Sequence, residues 1–239
     1  MIKVQGLYKN FDDQKVLENV SFDIGDGQIT SILGPSGTGK TVLLKLMIGL
    51  ISPDKGQVII DGVNVSTLSQ DKLLEIRKSI GYLFQEGALY DFLNVFDNIA
   101  FPLREHTKFS PEKIRQRVNE VLVMVDLKDV DEKFPSELSG GMKKRVGLAR
   151  AIVLKPKILL CDEPTSGLDP IRSRDISDLI RNVARKIQAT TVMTSHDIDN
   201  SLRIADRLVL LNEGHIAAMG SRDELLANPE PFVKEFVHI

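Results

Sequence analysis

Residues 34–41 read Gly34-Pro35-Ser36-Gly37-Thr38-Gly39-Lys40-Thr41, a glycine-rich loop of the pattern G-x-x-x-x-G-K-[ST]. The loop follows the apolar, strand-like run Gln28-Ile29-Thr30-Ser31-Ile32-Leu33. It precedes the almost wholly apolar stretch from Thr41 to Leu50, where a buried helix is expected. A strand that enters a glycine loop and leaves as a helix commits this part of the chain to an α/β layer. The residue types also carry chemistry. Glycines let successive backbone N–H groups curl around phosphate oxygens, and the following helix directs its partial positive end at them. Lys40 is placed to supply a point charge to the β and γ phosphates, and the Thr41 hydroxyl to ligate Mg²⁺. Bound Mg·ATP is the expectation for residues 34–41.

The rest of the chain extends that reading. Lys3 to Phe11 and Val20 to Ile24 read as strands separated by Asp12-Asp13-Gln14, and Gln57 to Gly62 reads as a strand and turn. From about Gly87 to Lys155 the pattern is helical. Ser110-Pro111-Glu112 has the marks of a helix start, with Val118, Val121, Leu122 and Val125 along one apolar face. Pro102 and Pro135 are expected to break the segments on either side. Beyond this, Ile158-Leu159-Leu160-Cys161 is apolar on both faces, as a central parallel strand would be. Ile171 to Ile187 is an amphipathic helix, and Thr190 to Thr194 and Arg207 to Leu211 are further strands. The expected architecture is one α/β domain over residues 1–239. Its core would be 1–86 with 156–239, mainly parallel, with an antiparallel β layer at the start and a helical subdomain inserted over 87–155.

Composition narrows the partners. With 31 Lys+Arg against 33 Asp+Glu, the formal net charge of -2 argues against nucleic-acid binding through a broad basic surface. The single cysteine, Cys161, rules out an intramolecular disulfide and reads as a small buried apolar residue. The first residues lack the apolar stretch of a signal peptide, and no run approaches the roughly 18 apolar residues of a membrane-spanning helix. Work at a membrane would therefore go through a partner.

Asp162 and Glu163 end the apolar run Ile158–Cys161, at the carboxyl edge where α/β sheets bind ligands. Asp162 can hold Mg²⁺ through water, and Glu163 can act as general base on an attacking water. A further stretch, Leu138-Ser139-Gly140-Gly141-Met142, precedes a helix carrying Lys143, Lys144, Arg145 and Arg150. With the phosphate loop and the carboxylate pair, it resembles the signature of ABC-type ATPases, over nearly the whole chain and in the expected order. Gln85 matches the family's Q-loop glutamine and a further Mg²⁺ ligand. Ser166-Gly167-Leu168-Asp169 matches the D-loop, and His196 matches the switch histidine. Phe11 stands where the family places an aromatic that stacks on adenine, with Tyr8 as the competing candidate. Met142 departs from the usual glutamine, which leaves the Ser139 hydroxyl and the Gly140 and Gly141 backbone as the expected ATP contacts. The run Lys143-Lys144-Arg145 reads as a solvated or partner-facing side of that helix.

The resemblance implies a second copy facing the first head to tail, each phosphate loop covered by the other copy's Ser139–Gly141. Glu163 would orient water, His196 would contact the γ phosphate, and Asp169 would couple the two sites. Gln85 would report Mg²⁺ occupancy to separate membrane permease subunits, touched mainly by the stretch from Phe84 to Thr107. That stretch, together with Met142, looks like the ATPase of Mla or Mce-type phospholipid transporters. The expected location is then the cytoplasmic face of a bacterial inner membrane, with accessory lipid-binding subunits as further partners. The other readings are an importer of small polar solutes, a soluble ABC ATPase without a transport role, and a non-hydrolysing module. Ser221 to Leu226 resembles the closing helix of the fold, with no room expected beyond it for an appended domain. Phe232, Phe236 and Val237 would sit on the core or on a second copy.

Overall fold

A computed structural model describes residues 1–237. In chain order the elements begin with β1 (Ile2–Phe11), β2 (Gln14–Ile24), β3 (Ile29–Leu33), α1 (Lys40–Met47), β4 (Lys55–Ile60), β5 (Val63–Asn64) and α2 (Gln70–Arg77). There follow β6 (Ile80–Leu83), α3 (Val95–His106), α4 (Pro111–Met124), α5 (Gly140–Ile152), β7 (Ile158–Cys161) and α6 (Pro170–Ile187). The chain closes with β8 (Thr190–Ser195), α7 (Ile198–Ile204), β9 (Arg207–Asn212), β10 (His215–Gly220), α8 (Arg222–Leu226) and α9 (Pro231–Val237). The expected pattern is present: antiparallel strands first, helices in the middle, and parallel strands around the glycine loop.

The described residues form two compact units. The first comprises Met1–Arg77 and the segment from Thr190 onward, and the second Lys78–Ala189. In the first unit, β1 pairs antiparallel with both β2 and β4. β3 lies between β8 and β9, parallel to each, and every residue of β3 is buried. The carboxyl-terminal aromatics settle on the core. Leu225, Val233 and Val237 join Leu33, Leu208 and Leu210 in one cluster, with Phe232 and Phe236 against it. The last two residues of the Gly220–Ile239 segment lie outside the described residues.

Helix α1 is shorter than its apolar run. The amides of Gly49 and Leu50 return to the carbonyls of Leu46 and Lys45, which closes the helix at Met47.

In the second unit, β6 pairs in parallel with β7. Helix α4 starts as expected, with the Ser110 hydroxyl accepting from the Lys113 amide. Pro102, expected as a break, lies inside α3 instead. A proline there removes only the bond to the carbonyl four residues back. The helix is retained by the Asn94 cap, which accepts from the Asp97 amide at 2.8 Å, and by burial of Ile99, Ala100 and Leu103 on one side.

Asn98, fully buried in α3, organises the loop before the helix. Its Oδ1 accepts from the Tyr90 amide at 2.9 Å, and its Nδ2 donates to the carbonyls of Tyr90 (3.1 Å), Leu93 (2.9 Å) and Asn94 (3.0 Å). Replacement by leucine keeps the volume and strands these groups. Asn98→Leu is therefore expected to cost about 2–4 kcal/mol of stability, read as a lower midpoint in urea denaturation.

Candidate nucleotide site

The phosphate loop belongs to the first unit. It leaves β3 at Gly34 and enters α1 through Gly39, whose φ of +94° is a left-handed conformation open to glycine. A Cβ on Gly39 would lie 2.9 Å from Leu17 Cδ2 and 3.0 Å from Val16, so the loop is tight as well as twisted. Lys40 is only 4% exposed. Its Nζ donates to the carbonyls of Gly34 and Pro35, each at 2.9 Å, and the Thr38 hydroxyl donates to Pro35 O at 2.9 Å. Lysine and threonine thus hold loop carbonyls, and a fixed cation stands at the start of an eight-residue helix. Placing an ammonium there costs desolvation that a polyanion offsets, so the residues present fit a triphosphate.

Two further candidates share this unit. Phe11 ends β1 with 44% of its surface exposed, and the Lys9 ammonium stands 5.2 Å from its ring centroid. Tyr8, half-buried, has Lys55 at 5.7 Å. His196 is exposed directly after β8, ahead of α7, whose cap is Asp197.

The carboxylates belong to the second unit. Strand β7 is buried on both faces, as read from the sequence. Burial, helped by the neighbouring Asp162 charge, pushes the Cys161 thiol well up, which fits an inert apolar role. Asp162 is buried and accepts a hydrogen bond at 3.3 Å from the Tyr82 hydroxyl on β6. Desolvation first, then the Asp162 charge, hold the Tyr82 phenol above its usual range, so it remains a neutral donor. Glu163 has φ +41°, a left-handed backbone seldom adopted by a residue with a long side chain, and its carbonyl accepts from the Ser166 amide at 3.1 Å. Such conformations concentrate at functional sites.

Gln85 and the D-loop meet within this unit, since Gln85 Nε2 donates to the Ser166 hydroxyl at 3.1 Å. Asp169 caps α6, accepting from the amides of Ile171 and Arg172 at 3.1 and 3.0 Å. Ser139 caps α5, its hydroxyl accepting from the Met142 amide at 3.3 Å, with Gly140 and Gly141 opening the helix. The basic run differs from its reading. Lys144 is buried, and Arg145 donates to the Val125 carbonyl at 2.7 Å. Its spacing along a polar run gave no sign of this, because the groups it meets are remote in sequence. Tyr82 and Ser166 likewise carry no local signal of their contacts with Asp162 and Gln85.

Among the described residues, no cluster of three or more His, Cys, Asp or Glu could hold a metal ion alone.

A twisted glycine loop with its buried lysine, a carboxylate pair after a buried strand, and a serine-capped glycine helix define a P-loop nucleotide-binding cassette. Residues 17–166 match the family model described as ABC transporter. The chain is 46% identical over 237 residues to the probable ribonucleotide transport ATP-binding protein mkl of Mycobacterium leprae, covering 99% of this chain and 68% of that protein. It is 43% identical over 222 residues to MlaF of Escherichia coli, the intermembrane phospholipid transport system ATP-binding protein, covering 93% of this chain and 82% of that one. A dimeric ATP-binding cassette solved in a post-hydrolysis state with ADP and Pi superposes with a TM-score of 0.85 at 32% identity, covering 93% of this chain and 99% of that one. The chain belongs to the ABC transporter family, and it is an ATPase of that family. Among the described residues, no helix is long and apolar enough to cross a membrane.

Proposed function

We propose that this ATPase powers phospholipid movement between envelope membranes, closing as a head-to-tail pair around two Mg·ATP beneath separate permease subunits. The observation that carries the lipid reading is the similarity to MlaF over 82% of that protein's length. The mkl relative, whose name gives ribonucleotide transport, is slightly more identical, but the chain spans only 68% of it. That name supports the second reading, an importer of polar solutes.

In the proposed assembly, Lys40 and the amides of residues 34–41 hold the triphosphate, and Phe11, with its exposed ring, stacks on adenine. Thr41, Asp162 and Gln85 would hold Mg²⁺, which would neutralise phosphate charge. Glu163 takes a proton from water, and His196 contacts the γ phosphate. Ser139, Gly140 and Gly141 of each copy present a helix amino end to the ATP of the other, where favourable electrostatics arise only on closure. Asp169, fixed as a helix cap, stands at the junction of the pair. Loss of the γ phosphate removes the charge that holds the copies together.

A surface for the permease is supported by aromatic residues after Gln85. Phe92 is 76% exposed, and Tyr90 lies between it and Phe101 with ring centroids at 5.7 and 5.2 Å. Grouped exposed aromatics mark interaction surfaces. The lipid itself never touches this chain. Its location would be the cytoplasmic face of a bacterial inner membrane, held there by the permease, with accessory lipid-binding subunits beyond it. The test is purification with the permease, followed by lipid extraction and mass spectrometry. Bound phospholipid is expected. A periplasmic solute receptor in the complex, or ATPase stimulation by nucleosides instead of lipid, would establish the importer.

A further inference from the structure

Helix α5 carries two cations that face backbone carbonyls of the loop after β6. Lys144, 6% exposed, donates from Nζ to the Gln85 carbonyl, and Arg150 Nη2 donates to the Gly87 carbonyl at 2.8 Å. Between them, Gly147 lets the loop approach: a Cβ there would lie 3.0 Å from both Gly87 Cα and Leu83 Cδ1. The loop is closed on itself by the Gly87 amide, which donates to the Phe84 carbonyl at 2.8 Å. Arg150 also stands 5.6 Å from the Tyr90 ring centroid. The segment carrying Gln85 is therefore held on the same helix that Ser139 caps.

We propose that Lys144 is a positioning residue, tying the Gln85 loop to α5 so that Gln85 and Ser139 move as one body. This rests on the paired-site reading above. In the pair proposed above, Gln85 would serve one nucleotide and Ser139 the nucleotide of the other copy. A tie between them transmits a change at one ATP to the helix amino end that completes the second site. Lys144 suits the task because it is buried and its head group donates to the Gln85 carbonyl.

Arg117 offers a matched comparison. It is 7% exposed and donates to the carbonyls of Val153 (2.8 Å) and Ile152 (3.0 Å), at the end of α5 opposite Ser139. The experiment compares Lys144→Met, Lys144→Arg and Arg117→Met in the full chain, reading kcat, KM for ATP, Tm and exchange of the Gly87 amide. Lys144→Met is expected to lower kcat by about tenfold or more with little change in KM, since small misplacements of reacting groups cost that much. Exchange at Gly87 should rise by about tenfold as the loop opens locally. Lys144→Arg, which keeps a donor, should recover most of the kcat. Arg117→Met should lower Tm comparably while sparing kcat and Gly87 exchange.

The proposal is overturned if Lys144→Met keeps the wild-type kcat, or if both methionine variants lose kcat in step with Tm. If Lys144→Met does not fold, Lys144→Gln takes its place under the same criteria. A wild-type chain without ATPase activity would sink the functional reading instead, and unchanged Gly87 exchange in the lysine variant would still refute the tie.

Discussion

Glu163→Gln is expected to lower ATP turnover by about 10²–10⁴-fold, the range for loss of a general base, while ATP binding stays near wild type. The amide keeps the size and the acceptor oxygen of the side chain and loses its ability to take a proton from water. Its placement makes the effect specific. Glu163 follows β7, a strand buried on both faces, and sits in a left-handed conformation closed by the Ser166 amide. A non-glycine residue in that region costs about 1–3 kcal/mol, which the fixed strand and turn must offset. The side chain is thus aimed by a backbone that glutamine can adopt equally well. Phosphate release and nucleotide affinity, measured on the same preparation, check the separation. Turnover at the wild-type rate would remove Glu163 from the role of base.

Lys40→Ala is expected to act on binding. The side chain is almost wholly buried, and its ammonium already spans the Gly34 and Pro35 carbonyls. Alanine removes the charge proposed to face the triphosphate and the two bonds that shape the loop. Truncating one partner of a buried charge contact costs about 2–5 kcal/mol, which corresponds to roughly 30- to 4,000-fold in Kd. Isothermal titration calorimetry with ATP reads this directly, and the thermal midpoint of the same variant reports whether the loop alone has loosened. An unchanged Kd would contradict the assignment of residues 34–41.

The phosphate loop was legible because its signal is local: a strand, glycines and a lysine within a single short stretch dictate the backbone and the chemistry together. The helix start at Ser110 was legible for the same reason, the cap and its amide being three residues apart. Pro102 misled because a local rule met tertiary burial, and a helix with a capped start and a buried face tolerates the loss of one bond. α2 gave little signal, since Leu73 is its one buried residue, and the four-residue strand β6 contains a glycine. The deeper omission concerns Lys144. A run of Lys-Lys-Arg on a helix reads as solvated, yet Lys144 is buried against a carbonyl 59 positions away. Periodicity carries no trace of a partner so distant.

The most direct test of the central claim, that each copy carries half of each ATP site, is sedimentation of the Glu163→Gln chain. With Mg·ATP it is expected to run as a dimer. With ADP, or when Lys40→Ala is added, it is expected to run as a monomer. A chain that stays monomeric with ATP bound, or one that dimerises regardless of nucleotide, would contradict that claim.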